Sequence, residues 1–306
     1  MSQAIAREAP PGQIGRLCAA INLPRATFYR YRDTGELVDP DIALRDHIQR
    51  IALELPAYGY RRITAHLQRM GVVVNHKHVL RLMREDNLLC LRHKRFVATT
   101  DADHGLPVYP NLVPTVTLTG INQLWVADIT YVRLPREFVY LAVILDAFSR
   151  RCIGWALDRH LDAPLTVAAL HHALAERAVA PGLVHHSDRG VQYASHAYTG
   201  LLSDRGIAIS MSRRGNPYDN AKAESFIKTL KYEEVYLNDY ETLAEANASI
   251  NHFLGEVYNE KRLHSALGYL PPIEFEQTLP SLLSTVSLDC SFGNPDARAL
   301  PDILCI

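Results

Sequence analysis

The chain has 306 residues, of which 48% are hydrophobic and 21% are charged, and its formal net charge is −1. These values are ordinary for a globular protein, and the length is sufficient for two domains. They exclude a low-complexity or fibrous class. No apolar run is long enough for a transmembrane helix, no secretory signal is expected at residues 1–10, and five scattered cysteines without a CxxC pair predict neither a disulfide framework nor a zinc cluster.

The small overall charge conceals two unlike parts of the chain. Residues 1–98 contain 16 basic and 9 acidic residues, a net charge of +7, whereas residues 99–306 contain 16 and 24, a net charge of −8. A basic segment of this kind is typical of a surface that meets a polyanion such as nucleic acid. A solvated charged face explains the same numbers, so both interpretations stay open at this point.

The first predicted unit is a helix-turn-helix-like segment over residues 1–35. An apolar stripe begins at Ile14, a turn follows at residues 22–24, and Pro24 suits the first position of a second, basic helix. A short helix, a tight turn and a basic helix form the pattern of a DNA-binding motif. We expect Arg25 and Arg30 to contact DNA, while a generic helical hairpin is the alternative.

A second helix-turn-helix-like unit is predicted over residues 40–98. One amphipathic helix starts at Ile42 and stops near Pro56, a second covers residues 58–71, and Asn75 caps a third. Two adjacent units of the same basic character favour DNA binding. The predicted DNA contacts of this unit are Arg61, Arg62, Lys77 and Arg81. A Pro-rich linker over residues 99–120 follows it.

The pattern changes at residue 121, where a catalytic core is predicted to extend to residue 235. Three strand-like runs, LWVADITYV, EFVYLAVILDAF and RCIGWALD, suit an antiparallel meander, and helices and strands then alternate. This order is the layout of an α/β fold, a ribonuclease-H-like core with a mixed five-stranded sheet flanked by helices, preceded by the all-α helix-turn-helix units. Because periodicity does not give the order of the strands, this fold prediction rests partly on the family resemblance described below. A helical extension is predicted over residues 236–277, and the tail over residues 278–306 has no assigned role.

Three carboxylates of the predicted core are candidates for chemistry. Asp128 lies in the middle of the apolar strand WVADITYV, Asp188 ends the strand LVHHSD, and Glu224 lies in the first turns of a helix. A charge inside an apolar strand is costly unless it is paired or binds a metal. Taken alone, Asp188 reads as a turn acceptor and Glu224 as a partner of the helix dipole. Together with Asp128 they predict one catalytic site.

A cluster of carboxylates indicates phosphoryl transfer assisted by metal ions. Mg²⁺, or Mn²⁺ in its place, prefers oxygen ligands, whereas His and Cys ligands would suit zinc. Two ions about 3.5–4 Å apart activate the attacking oxygen and stabilise the leaving one. We therefore expect two ions per site and no Ser or Tyr nucleophile.

Several neighbours of these acids have predicted supporting roles. Asn220 is expected to orient Glu224 by capping its helix. His186 is expected to pack or hydrogen-bond beside Asp188, with contact to a metal-bound water as the alternative, and Asp146 is read as structural. Basic residues that follow Glu224 by one or two helical turns, or that lie in the loop before it, are predicted DNA contacts: Lys228, Lys231, Arg213 and Arg214.

The segments WVADITYV, VILDAFSRRCIGWAL, HHSDRGVQYAS and RRGNPYDNAKAESFIKTLKYE resemble the transposases of IS3-family insertion sequences. The resemblance is to the second-frame product, which has a DDE catalytic core like that of retroviral integrases. The 35 residues between Asp188 and Glu224, and Lys231 seven residues further on, match the family's spacing. The C-terminal segment KRLHSALGYLPPIEF matches as well, so the likeness covers residues 40–277.

The resemblance implies cleavage at the ends of an insertion element and transfer of the freed 3′-hydroxyls into target DNA. The implied partners are the terminal inverted repeats, the target DNA, further copies of the chain on DNA and a first-frame helix-turn-helix protein, with no membrane. The implied location is the bacterial cytoplasm, on the nucleoid when bound to DNA. Two alternatives remain: a nuclease of this fold that cuts without joining, and a DNA-binding regulator with an inert core.

Overall fold

The structure is a computed structural model, and it describes residues 14–20, 22–33, 40–89, 106–179, 181–213 and 217–279. The chain divides into two compact units, residues 1–53 and 54–306. Some predictions fall outside the described residues: those on Arg214, on the side chain of Arg30 and on nearly all of the tail.

The first unit contains helices α1 (Ile14–Ala20) and α2 (Arg25–Asp33) and most of α3 (Ile42–Glu54). Asn22 adopts a left-handed conformation with φ 51° in the turn between α1 and α2, which Asn tolerates better than most residues. Ile14 and Cys18 of α1 pack against Phe28 of α2. The two helices and the turn therefore lie where the sequence predicted them.

The second unit begins with helices α4 (Tyr60–Arg69) and α5 (His76–Glu85), which each bury one apolar face. The Asn75 side chain accepts a hydrogen bond of 2.8 Å from the backbone N–H of Lys77. This bond satisfies one of the free donors at the start of α5, so the predicted cap is confirmed. Together with α3, these helices are the three expected for the second helix-turn-helix unit.

The core of the second unit is a mixed five-stranded sheet in the order β3-β2-β1-β4-β5. Strands β1, β2 and β3 form the predicted antiparallel meander, and β4 and β5 run parallel to β1. This arrangement confirms the predicted α/β, ribonuclease-H-like fold class. The strand bounds are β1 (Leu124–Arg133), β2 (Phe138–Asp146), β3 (Cys152–Asp158), β4 (Val184–Ser187) and β5 (Ala208–Met211).

Helices cover both faces of the sheet. Successive side chains along β1 point to opposite faces, and apolar side chains on each face pack against helices. Leu124 and Val126 pack on one face, which carries α9 and α10, while Trp125 and Ala127 pack on the other, which carries α6, α7 and α8. Among the described residues, no helix is both long and apolar enough to cross a membrane. The helix bounds are α6 (Ala163–Glu176), α7 (Val191–Ala194), α8 (His196–Asp204), α9 (Ala221–Leu230) and α10 (Leu243–His252).

Helices α9 and α10 each continue into a π-helical segment, Lys231–Val235 and Phe253–Lys261. The sequence predicted ordinary helices over residues 220–232 and 241–259, which reach into both segments, because periodicity does not separate the two forms over so few turns. A π-helical turn inserts a residue and rotates the side chains that follow it. The side chains beyond Leu230 therefore do not continue the helical face of α9.

Helix α4 is tied to the chain beyond α10 by polar contacts. The Tyr58 hydroxyl accepts the backbone N–H of Leu263 at 2.7 Å, and Arg69 forms a two-pronged ion pair with Glu274. Arg262 is almost fully buried and donates to both carboxylate oxygens of Glu233 at 2.6 Å. Residues about 200 positions apart in the sequence are thus joined within one compact unit.

Replacement of Gly154 by Ala tests the packing of α6 on β3. An added Cβ would lie 2.4 Å from the backbone oxygen of Ala169 and 2.8 Å from the backbone nitrogen of Ala173. Backbone atoms of a helix cannot move aside cheaply, so we expect a loss of about 2–3 kcal/mol in the free energy of unfolding. Urea denaturation followed by circular dichroism measures it.

Gly200→Ala in α8 is the matched control, because nothing lies within 4 Å of the Cβ that it adds. Removing a glycine from a helix interior should stabilise the protein by about 0.5–1 kcal/mol. Equal effects of the two substitutions would contradict the close approach of α6 to β3.

Candidate active site

The sheet and helix α9 bring the three predicted acids near one another. Asp128 lies in the middle of β1, opposite Val143 of β2, and Val126 is paired with His186 of β4. Continuing that parallel register by two residues sets Asp188, directly after β4, level with Asp128. Glu224 lies in the first turn of α9, whose buried residues pack on the face of β1 that carries the even-numbered side chains.

The charges of these acids act on one another. The pKa of Asp128 is raised to about 8. Burial is the largest cause of this shift, and the negative charge of Asp188 is the next. Glu224 raises the pKa of Asp128 further, while the N–H of Ile129, which donates to Asp128 Oδ1 at 2.8 Å, and the charge of Lys231 oppose the shift. Burial and the two neighbouring acids therefore both oppose the ionisation of Asp128.

The donor set of this site fits a divalent cation. Three carboxylates offer the oxygen ligands that Mg²⁺ and Mn²⁺ prefer, and a cation there would favour the ionised form of Asp128, which burial and the charges of Asp188 and Glu224 oppose. Within the described ranges, no three His, Cys, Asp or Glu side chains are grouped closely enough to surround one ion.

Asn220 supports the site in a way different from the predicted one. It occupies the position before α9, but its side chain makes no capping hydrogen bond, so the predicted cap is wrong. Instead Asn220 Nδ2 donates to the backbone oxygen of Ala127 at 3.0 Å. The side chain therefore links the start of the Glu224 helix to the residue before Asp128. Its Oδ1 is buried without a hydrogen-bond partner among the described groups.

The two histidines before Asp188 are hydrogen-bonded inside the core. His185 Nε2 meets the Tyr198 hydroxyl at 2.8 Å, and the ring nitrogens of His186 meet the hydroxyls of Ser210 and Ser212 at 2.8 and 3.0 Å. Burial lowers the pKa of His185 to about 3 and that of His186 to about 4. Both are neutral at physiological pH, and His186 ties β4 to β5 next to Asp188.

Lys228 and Lys231 occupy different surroundings, although both follow Glu224. Lys228 is exposed on α9. Lys231 lies in the π-helical segment with its ammonium group 4.0 Å from the centre of the Tyr131 ring. Burial lowers the pKa of Lys231, and the charge of Asp128 opposes that shift. Lys231 is thus the cation of the acidic site, held over an aromatic face that sequence periodicity did not indicate.

The other predicted DNA contacts are distributed over several surfaces. Arg213 is exposed and donates to both carboxylate oxygens of Asp219. The guanidinium of Arg62 lies 3.6 Å from Glu233 and over the Tyr58 ring, so it points toward the π-helical segment that follows α9. The remaining described residues of this set are exposed on their helices: Arg25, Arg61, Lys77 and Arg81.

Asp146 has the structural role that the sequence predicted. Its Oδ1 accepts the backbone N–H groups of Phe148 and Ser149 at 2.9 Å, and its Oδ2 accepts that of Asn122 at 2.6 Å. These bonds fix the turn after β2. Sequence reasoning assigned no role to Arg150 in the same turn or to the Arg262–Glu233 pair. For Arg262 the only signal was its place in the KRLHSALGY segment.

Comparisons with known proteins find the same two parts of the chain. Models described as integrase core domains match residues 119–217 and 205–272, and an HTH-like domain model matches residues 40–96. The chain is 35% identical over 265 residues to the insertion element IS600 uncharacterized 31 kDa protein of Shigella sonnei, covering 85% of this chain and 97% of that protein.

A second relative is the transposase InsF for insertion sequence IS3A of Escherichia coli (strain K12). Identity is 32% over 269 residues, which cover 86% of this chain and 93% of that protein. Among solved structures, the HTLV-2 integrase catalytic core domain in complex with magnesium is 19% identical, with a TM-score of 0.41 over 52% of this chain and 98% of that one.

Replacement of Asn220 by Ala tests the link between α9 and β1. Removal of the donor to Ala127 breaks a buried hydrogen bond, and we expect the free energy of unfolding to fall by about 1–3 kcal/mol. Asn251→Ala is the matched control, because its bond to the Trp155 indole N–H is exposed and water can replace it. Urea denaturation of both variants gives the comparison, and an unchanged stability of Asn220→Ala would count against the link.

Proposed function

The chain belongs to the IS3-type family of insertion-sequence transposases that carry an integrase core, and from this premise we propose a specific chemistry for it. It cleaves DNA at the ends of its insertion element and joins the freed 3′-hydroxyls to target DNA. Asp128, Asp188 and Glu224 hold two Mg²⁺ or Mn²⁺ ions for both steps. The observation that carries the proposal is that the three acids lie close enough to interact: burial first, and then the charges of Asp188 and Glu224, raise the pKa of Asp128 to about 8.

Both steps of the proposed reaction exchange one phosphodiester bond. In cleavage, a water oxygen bonds to phosphorus at the element end while the bond from phosphorus to the 3′-oxygen breaks, leaving a 3′-hydroxyl. In joining, that 3′-oxygen bonds to a target phosphorus and the bond from this phosphorus to its own 3′-oxygen breaks. Ions held by the three acids would make the attacking oxygen more acidic and would stabilise the leaving one. No protein nucleophile is required.

The surrounding residues position and balance this site. Asn220 fixes the start of the Glu224 helix against β1, and His186 fixes β4, which precedes Asp188, against β5. Lys231 supplies a positive charge that acts on Asp128 and meets the DNA backbone. Lys228, Arg213 and Arg214 extend this contact along the DNA near the site.

In this proposal, the helix-turn-helix units predicted over residues 1–35 and 40–98 recognise the terminal inverted repeats. Its backbone and groove contacts come from Arg25, Arg30, Arg61, Arg62, Lys77 and Arg81. Because an element has two ends, further copies of the chain assemble on the DNA, and a first-frame helix-turn-helix protein is a further partner. The protein acts in the bacterial cytoplasm, on nucleoid DNA.

A strand-transfer assay tests the proposed chemistry. A labelled duplex that carries an element end and a 3′-hydroxyl is incubated with plasmid DNA and Mg²⁺, and joined product is measured. We expect joining by the unaltered chain and no joining by Asp128→Asn. We expect the joining rate of Glu224→Asp to fall roughly 100-fold, because a shorter acid misplaces the metal ion by about an ångström.

Asp204→Asn is the control, since this acid is exposed at the end of α8 and should join DNA like the unaltered chain. Circular dichroism establishes that each variant is folded. Hydrolysis without joined product would indicate a nuclease that only cuts. Joining by Asp128→Asn would show that the proposed site is wrong.

A further inference from the structure

A second site of interest is a cavity of about 190 Å³ within the unit of residues 54–306. Its walls come from Leu145 at the end of β2, Arg150 in the following turn, Lys222 on α9 and Arg262 beyond the π-helical segment. Lys222 and Glu224 are two residues apart on one helix, which separates their directions by about 200°. The cavity therefore lies on the side of α9 that faces away from the Glu224 carboxylate.

Four basic side chains line this cavity: Arg62, Arg150, Lys222 and Arg262. Arg262 is held by both oxygens of Glu233, which also lies 3.6 Å from Arg62. Asp146, a carboxylate of the cavity wall, accepts three backbone N–H groups, and its charge also acts on Lys222. The wall therefore carries four cations against the charges of Asp146 and the adjacent Glu233.

Two of these four cations, Lys222 and Arg150, form no close ion pair among the described residues. Lys222 Nζ donates to the backbone oxygen of Ala147 at 2.9 Å, and neither Lys222 nor Arg150 forms an ion pair with any carboxylate in the described parts of the chain. The hydroxyl groups of Ser225 and Ser265 line the same space. The cavity thus combines spare positive charge with neutral hydrogen-bond donors.

His264 also lines the cavity, and its pKa shows that the surrounding charge is positive. The pKa of His264 is lowered to about 2, and burial is the largest cause. The positive charges of Arg262, Arg62 and Arg150, in that order, lower it further. Three guanidinium groups on different elements thus act on one buried ring. The ring itself stays neutral and adds no charge to the cavity.

The backbone of Arg150 is an independent observation. Arg150 has φ 61°, in the left-handed region that suits Gly or Asn. For other residues this conformation costs roughly 1–2 kcal/mol. A strained residue of this kind at a cavity indicates a role for its side chain. Its backbone is held in the turn by Tyr258, whose hydroxyl donates to the Arg150 oxygen at 3.2 Å.

We propose that this cavity binds a phosphate group of the DNA backbone, outside the catalytic site, with Arg150 as its principal ligand. A guanidinium group matches the geometry of phosphate oxygens through paired N–H donors, and partial burial strengthens that contact. The cavity volume is several times the ~30 Å³ of a water molecule, which is room for one phosphate group. The identity of the anion as DNA rests on the proposed function.

Arg150→Asn tests the proposal, because Asn tolerates the left-handed conformation and leaves the turn intact. Binding to a fluorescein-labelled duplex with an element end is measured by anisotropy over a range of NaCl concentrations, without divalent metal. We expect affinity to fall roughly ten-fold. The slope of log affinity against log salt should decrease in magnitude by about 1, the change for one lost phosphate contact.

Three further measurements complete the test. Arg150→Lys should restore part of the affinity and the salt slope, since it retains the charge. Arg205→Ala should change neither, because Arg205 is exposed after α8, which packs on the other face of the sheet. Thermal melting in sodium phosphate, at constant ionic strength against NaCl, tests whether free phosphate stabilises the unaltered chain more than Arg150→Asn.

The outcomes separate this inference from the proposed function. An unchanged affinity and salt slope for Arg150→Asn would overturn it, even if the unaltered chain joins DNA. A stabilisation by free phosphate without any effect of Arg150→Asn on DNA would also overturn it, by assigning the cavity to another phosphate compound. The expected losses in a chain that does not join DNA would support the cavity and reject the proposed chemistry alone.

Discussion

Asp128 carries a carboxylate into the middle of a five-stranded sheet, where burial and the charges of Asp188 and Glu224 oppose its ionisation. A group in this position destabilises the fold when it is charged and unpaired. The strands around Asp128 hold its carboxyl group in place. Strand β1 is central, with β2 and β4 hydrogen-bonded on either side, so the position of Asp128 is fixed by both neighbours.

The other two acids are held by the same scaffold. Asp188 follows β4 directly, and the parallel pairing of β4 with β1 determines how far it lies from Asp128. Glu224 depends on α9, which is fixed to β1 by Asn220 and by the burial of Ala223 and Phe226. The pairing of β4 with β1 and the packing of α9 therefore set the spacing of the three acids.

The sequence was most informative where a residue conflicted with its local pattern. Asp128 stands out because a charge interrupts an apolar strand, and that signal requires no knowledge of the fold. The strands, the helices and the Asn75 cap also follow from local patterns, and the structure agrees with them. That Asp188 and Glu224 belong with Asp128 was indicated by spacing and family resemblance, because local patterns do not specify which strands are adjacent.

The features that the sequence missed depend on contacts between distant segments. The side chain of Asn220 reaches β1 instead of capping α9, a choice decided by packing over 93 residues of sequence separation. The pair of Arg262 with Glu233, and the contact of Tyr58 with Leu263, join segments that no periodicity relates. The left-handed backbone of Arg150 was hidden for a different reason, since Arg carries no preference for that conformation.

Asp128, Asp188 and Glu224 are proposed to share divalent metal ions. Crystals of the chain with Mn²⁺ and an element-end duplex, measured for anomalous scattering near the manganese edge, would show whether they do. We expect anomalous peaks within ligand distance, about 2.0–2.3 Å, of oxygens from all three side chains. Peaks elsewhere, or their persistence at full height in crystals of Asp128→Asn, would contradict this proposal.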